Sequence, residues 1–591
     1  MTTRLKKIVD YLVGPSQSTF IEGRNILDNV ILAHEIFKGY TQKSVSPRCV
    51  IKVDIRKAYD SVEWSFLRHL LTEFGFPLKM VNWIMECVTT VSYSLLINGV
   101  LTPKFAAKKG LRQGDPMSLY LFVLVMEYLN KSLKQLQRWP AFKYHPKCAK
   151  QKIVHVCFAD DLLMCCRADK ESVQLMMQSF EHFLTVSGLK ANMEKSNLYI
   201  AGSTPQVRQQ LLDELHFTVG TLPFKYLGVP LASRKLSINQ CMPLVENMIA
   251  RVKCWTSKLL SYSGKLQLIK SVLFEIQTYW SQVFLLPKII HKMVIAICRN
   301  YLWSGSNEYA KKVPIAWETL CQPKATGGLN IINFGLWNQA AISKLLWAIA
   351  KKKDKLWVRW IHIHYIKNRN LQDMVTPKQV TWLVRKIFDA RKWRPNLDDL
   401  DKFSVGGKFS IKQAYQDSIP QYPKVQWKTL VLLKGLIPRQ QFILWMAIQN
   451  RLATTNRLAH WGIQVDPICK LCTIGATETH QHLFFECSYS KFIWQTLLHW
   501  MEIKRQIGDW NTEVQWMAKR VNNKNSKWTI LRFVFTATVY HVWRERNARR
   551  FQQTSRSSMD RTREIALQLH IAGQRYCKWH DCLVKLNSFP C

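Results

Sequence analysis

The stretch VHVCFADDLLMCC, residues 154–166, sets two adjacent carboxylates between two apolar runs. Val154, Val156, Cys157, Phe158 and Ala159 lead in, and Leu162, Leu163, Met164, Cys165 and Cys166 lead out. Runs of this length, β-branched and aromatic on the first side, predict two buried strands. A two-residue link, Asp160–Asp161, makes them a tight hairpin, because Asp tolerates the left-handed conformations such turns need. A plain surface turn would be spelled the same way. It leaves unexplained why two like charges stand side by side, where repulsion drives one toward protonation unless a cation intervenes. A divalent ion resolves the conflict, and carboxylate oxygens suit Mg²⁺. The reading turns on whether a third carboxylate exists elsewhere.

Residues 50–64, VIKVDIRKAYDSVEW, supply one. Val50, Ile51, Val53 and Ile55 predict a short strand with Asp54 near its end. The following RKAYDSVEWSFLRHLLTEFG carries helical spacing at Ala58, Val62, Phe66 and Leu70, with Asp60 or Ser61 as candidate caps. A carboxylate at the end of a buried strand is placed for a site rather than for packing. If Asp54 meets the Asp160–Asp161 hairpin, three acids converge and can hold two Mg²⁺. Between them lies KKGLRQGDPMSLYLFVLVMEYL, residues 108–129. Gly110, Gly114 and Pro116 mark a loop. From Ser118 the sequence predicts an apolar helix with Leu119, Phe122, Val123 and Met126 on one face. Backbone amides at such a helix start favour phosphate, and Arg112 and Gln113 are candidate nucleotide contacts.

The chain has 591 residues, enough for two to four domains. It has 84 Lys and Arg against 40 Asp and Glu, a formal charge of +44. A positive field of this size favours a polyanion, most simply nucleic acid. Solubility alone is the competing explanation, and balanced charge would serve it as well. Among the 23 Trp, 27 Phe and 19 Tyr many lie near Lys or Arg, as in single-strand binding grooves, although burial is the usual use of large rings. The opening MTTRLKKIVDYLV is basic but its apolar part is too short for a secretory signal. The longest apolar run, Leu121 to Met126, falls far below a membrane span of about 20 residues. The expectation is a soluble, intracellular protein of nucleus or cytoplasm with no membrane partner. Its 16 Cys are then expected to be reduced thiols or metal ligands.

In this order, VDIRKAYDSVEW, GLRQGDPMSLYLFVL and CFADD resemble the palm motifs of a reverse transcriptase from a plant long interspersed (non-LTR) retrotransposon. The resemblance continues through GLKANMEKS (188–196) and FKYLGVPL (224–231), and FIEGRNILDNVILAHE (20–35) resembles the fingers. It implies an α+β fold with fingers, a ferredoxin-like palm and a thumb, followed by helices and a small zinc module. It implies that Asp54, Asp160 and Asp161 bind the metals, with the Ile55 carbonyl as a backbone ligand. Tyr59 falls where the family keeps an aromatic that closes off the sugar 2′ position. Gln113 matches a residue near the incoming nucleotide, Lys195 falls near the pyrophosphate, and Tyr226, Leu227 and Gly228 resemble a turn that braces the primer terminus. Leu119 stands where the family commonly has Pro. The short front end is expected to lack the earliest fingers segments and the upstream endonuclease, and no ribonuclease H carboxylate set is apparent downstream.

Near the end, CKLCTIGATETHQHLFFECSYSKFIW (469–494) spaces Cys469 and Cys472 as C-x₂-C, and His482 and Cys487 as H-x₄-C. Four such ligands suit a tetrahedral, structural Zn²⁺, with Phe484, Phe485 and Trp494 packed beside it. His480 competes with His482, but the module after plant retroelement polymerases ends in a pattern that His482 matches better. Lys265 and Lys270 are candidate phosphate contacts or a solvated helix face. VYHVWRERNARRFQ (539–552) predicts a basic helix, either a surface helix or an RNA contact. The expected domains are fingers and palm in 1–235, a thumb-like helical region in 236–420, the zinc module in 421–510 and a basic helical tail in 511–591. The leading expectation is RNA-directed DNA synthesis from dNTPs, a DNA primer and an RNA template. An inactive remnant that only binds nucleic acid is the alternative. A splicing-type maturase would share the palm, but the zinc segment points away from it.

Overall fold

The computed structural model describes residues 1–42, 44–255, 260–306, 313–431, 436–520 and 525–586. Helices α1 (Thr2–Leu12) and α2 (Ile26–Phe37) precede strand β1 (Arg48–Val53). The two runs around the acid pair form β2 (His155–Phe158) and β3 (Asp161–Cys166). With β4 (Asn197–Ala201) and β5 (Thr218–Val219) they make a sheet of order β5-β4-β1-β3-β2. β1 is antiparallel to β3 and β4, β2 is antiparallel to β3, and β5 joins β4 in parallel. Helix α3 (Ser118–Gln135) lies between β1 and β2 in sequence, and α4 (Lys170–Ser187) between β3 and β4. The succession β1-α3-β2-β3-α4-β4 on a 4-1-3-2 sheet is the ferredoxin-like arrangement, and the class is α+β as expected.

The sheet strands lack alternation because both faces are covered. Cys49, Ile51 and Val53 of β1 and Leu162, Met164 and Cys166 of β3 join one core with Phe122, Val125 and Leu129 of α3 and Met176, Phe180 and Phe183 of α4. On the other face Val50, Val156 and Leu163 are also buried, and α2 lies against β2. Asp169 caps α4 by accepting from Ser172 N, and Gly188 ends it at φ 75°. α3 is buried almost all round at Leu121 through Glu127, so Leu119, expected on the inner face, is only half-buried.

Two local expectations are corrected. Phe158 pairs with Asp161, so the hairpin turn is Ala159–Asp160, and Asp161 is already the first residue of β3. The turn takes φ 53° at Ala159, which frees the second Asp to enter the ladder. The helical stretch after Asp54 is two helices, Ala58–Ser61 and Trp64–Glu73, broken at Val62–Glu63. Neither Asp60 nor Ser61 caps the second; the Ser61 hydroxyl donates back to the Lys57 carbonyl.

The chain divides into two compact units. One comprises Met1–Pro243, Thr278–Pro287 and Leu336–Ser418; the other comprises Leu244–Gln277, Lys288–Gly335 and Ile419–Cys591. In the first, α2 is anchored by its acids. Asp28 accepts from Lys355 and the Trp357 indole, and Glu35 from Trp360 and Tyr365. In the second, α5 (Pro438–Ile448), α6 (Ser488–Trp500) and α8 (Ser558–Gly573) pack around α7 (Ser526–Asn547). α7 is buried from Ile530 through Val539, and the stretch expected as a surface helix, 539–552, itself buries Val539, His541, Val542, Glu545 and Arg546. Lys265 and Lys270 do not form a solvated face either. Lys265 is buried with its ammonium 5.5 Å from the Tyr262 ring, and Lys270 donates to the Leu329 carbonyl. No helix among the described residues is long and apolar enough to cross a membrane.

Gly110 is where a side chain cannot enter. Its φ is 93°, and a Cβ there would sit 2.7 Å from the Asp60 carbonyl oxygen. Gly110→Ala is expected to destabilise the first unit by about 2 kcal/mol or more, since the left-handed conformation alone costs roughly 1–2 kcal/mol. Urea denaturation of parent and variant measures it.

Candidate metal centres

Asp54 follows β1 directly. The pairing of Val53 with Leu162 sets it opposite Asp161, and the two-residue turn puts Asp160 beside them. The backbone around Asp54 is fixed by residues that sequence reasoning did not single out. Asn192 N donates to the Asp54 carbonyl at 2.7 Å, and the Asn192 side-chain amide donates to the carboxylate at 3.2 Å. Asp54 N donates to the Ser196 hydroxyl at 3.2 Å. Both lie in the segment GLKANMEKS, as does Lys195. Lys195 is exposed at the end of the one-turn helix Met193–Lys195.

The turn has its own brace in Gln17, 2% exposed. Its side-chain oxygen accepts from Ala159 N at 3.3 Å and Thr19 N at 3.1 Å, while its amide donates to Cys157 Sγ at 3.4 Å. Residues 16–18 run beside β2, with Cys157 N donating to the Ser16 carbonyl and Ser18 N to the Cys157 carbonyl. No short motif marks Gln17. Its role depends on a contact 142 residues away.

Burial raises the proton affinity of Asp160, and the charge of Asp54 adds to it. Asp161 is raised by burial and by Asp160, with Lys52 offsetting part of this. Asp160 and Asp161 are therefore incompletely neutralised at this end of the sheet, and carboxylate oxygens are donors that hard divalent cations prefer. Ile55, 3% exposed, pairs with Ala191 just beyond Asp54.

The other expected residues surround this end of the sheet. Tyr59 stacks on Phe122, ring centres 4.6 Å apart, and its phenol is pushed up to about 12 by burial and by Asp160. Leu111 N donates to the Tyr59 carbonyl at 2.7 Å, which ties the Gly-rich loop to the same segment. Arg112, Gln113 and Gly114 are exposed on that loop, Gly114 at φ 98° with open space around it. Tyr226 ends a short strand, Phe224–Tyr226, hairpinned to Val229–Leu231. Leu227 and Gly228 form the turn at φ 47° and 83°, and the Tyr279 hydroxyl donates to the Leu227 carbonyl. Tyr226 is buried, and its phenol is raised by burial first and then by Cys157 and Asp161.

In the second unit, one donor atom each from Cys469, Cys472, His482 and Cys487 lie within 4.8 Å of one another. Cys469 and Cys487 sulfurs are 4.0 Å apart, and Cys472 Sγ is 3.5 Å from His482 Nε2. A tetrahedron with Zn–S of about 2.3 Å and Zn–N of about 2.0 Å has edges of roughly 3.5–3.8 Å, so the four donors fit zinc. The two sulfurs share a proton, which holds the Cys469 thiol down while Cys487 rises. His482 and Cys487 reach one point because the chain leaves helical geometry between them, with Phe485 at φ 78°. Phe484 and Phe485 then turn onto Trp510, and Phe485 onto Trp494. His480 is outside the donor group, packed on Phe484 and Trp510, and burial holds its imidazole down at about 4.

The strained carboxylates give a stability test. A carboxylate whose folded pKa is raised destabilises the fold as pH climbs from the ordinary range through the raised value, and the whole effect is present at neutral pH. In Mg²⁺-free buffer at pH 7, Asp160→Asn is therefore expected to raise the melting temperature, and the gain over the parent should vanish on acidification below the ordinary carboxylate range. A variant that melts below the parent at pH 7 contradicts this.

Residues 1–231 match the family described as reverse transcriptase (RNA-dependent DNA polymerase), and residues 409–494 match zinc-binding in reverse transcriptase. The chain is similar to the retrovirus-related Pol polyprotein of the type-1 retrotransposable element R2 of Popillia japonica, 30% identical over 35% of this chain and 34% of that one. It is similar to the corresponding polyprotein of the type-2 element R2DM of Drosophila melanogaster, 24% identical over 56% and 31%. An Arabidopsis thaliana protein provisionally named for ribonuclease H is 21% identical over 54% of this chain and 65% of its own length. The chain spans less than two thirds of each of these relatives. It carries a reverse transcriptase domain of the non-LTR retrotransposon type, followed by the zinc-binding module that accompanies such domains.

Proposed function

We propose that the chain is an RNA-directed DNA polymerase that extends a DNA primer with dNTPs on an RNA template. The observation that carries the reading is the register of β1, β2 and β3, which brings Asp54, Asp160 and Asp161 to one end of the sheet. Held by these acids, two divalent ions would supply Lewis acidity at the primer 3′-hydroxyl and at the triphosphate. The protein's part is positioning and charge. Asn192 orients the Asp54 carboxylate, and Gln17 holds the turn that carries Asp160. The Ile55 carbonyl is the candidate backbone ligand. Tyr59, wedged on Phe122 beside Asp160, is suited to exclude a 2′-hydroxyl. Arg112, Gln113 and Gly114 offer an exposed loop to the nucleotide, and Lys195 an exposed cation to the pyrophosphate. The Tyr226–Gly228 turn, held by Tyr279, is assigned to the primer terminus. The +44 charge favours a nucleic-acid partner. We assign fingers and palm to residues 1–235, a thumb-like region to 236–420, whose residues are divided between the two units, the zinc module to 421–510 and the basic C-terminal helices, which share the second unit with that module, to 511–591.

Primer extension on poly(rA) with oligo(dT), dTTP and Mg²⁺ tests the reading. The parent is expected to extend, and Asp160→Ala to fall about a thousandfold or more, because metal stabilisation of the transition state amounts to several kcal/mol. If the parent fails to extend while still binding RNA, the chain is a binding remnant. Tyr59→Ala is expected to raise use of ribonucleotides relative to dNTPs by about tenfold, since a lost steric contact is worth roughly 1–3 kcal/mol. Unchanged sugar selectivity removes Tyr59 from that role.

A further inference from the structure

The arginines at the end of α7 face the zinc loops. The helix closes in WRERN, residues 543–547, and continues through Ala548–Gln552. Arg549 Nη1 donates to the carbonyls of Lys470 and Leu471, each at 3.2 Å. Those are the two residues between Cys469 and Cys472. Arg550 donates to the carbonyls of Asp466 and Ile468, each at 3.0 Å, on the approach to Cys469. Arg546 Nε lies 2.9 Å from both oxygens of Glu478, in the segment leading to His482. Glu478 and Arg546 are 0% and 1% exposed, and Glu478 also accepts from Thr455 N at 3.0 Å.

The clamp is itself held. Glu545 accepts from Arg549 Nε at 2.9 Å through one oxygen, and from Arg561 of α8 at 2.9 and 2.7 Å through the other. A planar guanidinium that bridges two carbonyls fixes their relative position, which a single ammonium cannot do. A buried pair such as Glu478–Arg546 resists separation because either partner alone would be a desolvated charge. The loops that present the two halves of the ligand set are thus tied to one helix end.

We infer that Arg546, Arg549 and Arg550 are positioning residues for the zinc ligands. They preorganise the Cys469–Cys472 loop and the segment before His482, so metal retention depends on the C-terminal helices. These three guanidiniums are then not the surface offered to nucleic acid, despite their density in the sequence.

The test uses the full zinc-loaded chain and times transfer of zinc to a chelating dye. Arg549→Ala is expected to release zinc at least tenfold faster, the usual size of effect for groups that orient metal ligands. Arg549→Lys keeps the charge and the stem but loses the fork, and is expected to release zinc nearly as fast. Arg563→Ala, exposed on α8, is expected to match the parent. The salt dependence of binding to a single-stranded RNA oligonucleotide should not change in any of them. Circular dichroism identifies a variant that has lost its fold, in which case Arg549→Lys decides. Release at the parent rate from Arg549→Lys overturns the inference. So does a drop of about one in the RNA salt slope of Arg549→Ala with zinc release unchanged, because the arginine would then be a phosphate contact.

Discussion

Pairing of Val53 with Leu162 sets the end of β1 against the start of β3, where burial and then the neighbouring acids raise the proton affinity of Asp160 and Asp161. The sheet can carry these acids because its centre is almost wholly apolar. Ile51, Val53, Leu162 and Met164 are fully buried, and each such side chain contributes about 1.5–3 kcal/mol relative to exposure. A slip of one residue between β1 and β3 would turn these side chains to the other face. The register that satisfies the core is therefore the register that gathers the acids. Around it the fold adds local constraints: Gly110 against Asp60, Asn192 on Asp54, and Gln17 under the Ala159–Asp160 turn.

Much of this was legible in the sequence because it is local. The apolar runs around Asp160 and Asp161 could be read as buried strands, and the strand before Asp54 likewise, since continuous apolar runs of that length fit few other structures. The position of the turn was misread by one residue. Asp is the commoner turn former, and nothing local says that Ala159 accepts a left-handed conformation while Asp161 joins the ladder. Gln17 and Asn192 were missed for a different reason. Each acts through a partner more than a hundred residues away, and a single amide side chain carries no periodicity or motif.

The second unit shows the opposite balance. Its ligands were legible from spacing, because a C-x₂-C pair and an H-x₄-C pair are short-range chemistry. The tail was not. A run rich in arginine suggests a solvated or RNA-binding helix, yet α7 is buried through most of its length, and its last cations neutralise Glu478 and Glu545 and cap loop carbonyls. Charge density in sequence does not reveal which side of a helix is inside, and a +44 chain still uses some arginines as internal ties.

The proposed chemistry requires that Asp54, Asp160 and Asp161 form one divalent-cation site. Titration of the zinc-loaded chain with Mn²⁺, following the free ion by its paramagnetic resonance, tests it without requiring turnover. The parent is expected to hold an Mn²⁺ site that Asp54→Asn, Asp160→Asn and Asp161→Asn each weaken tenfold or more. Identical Mn²⁺ binding by the parent and all three variants would contradict it.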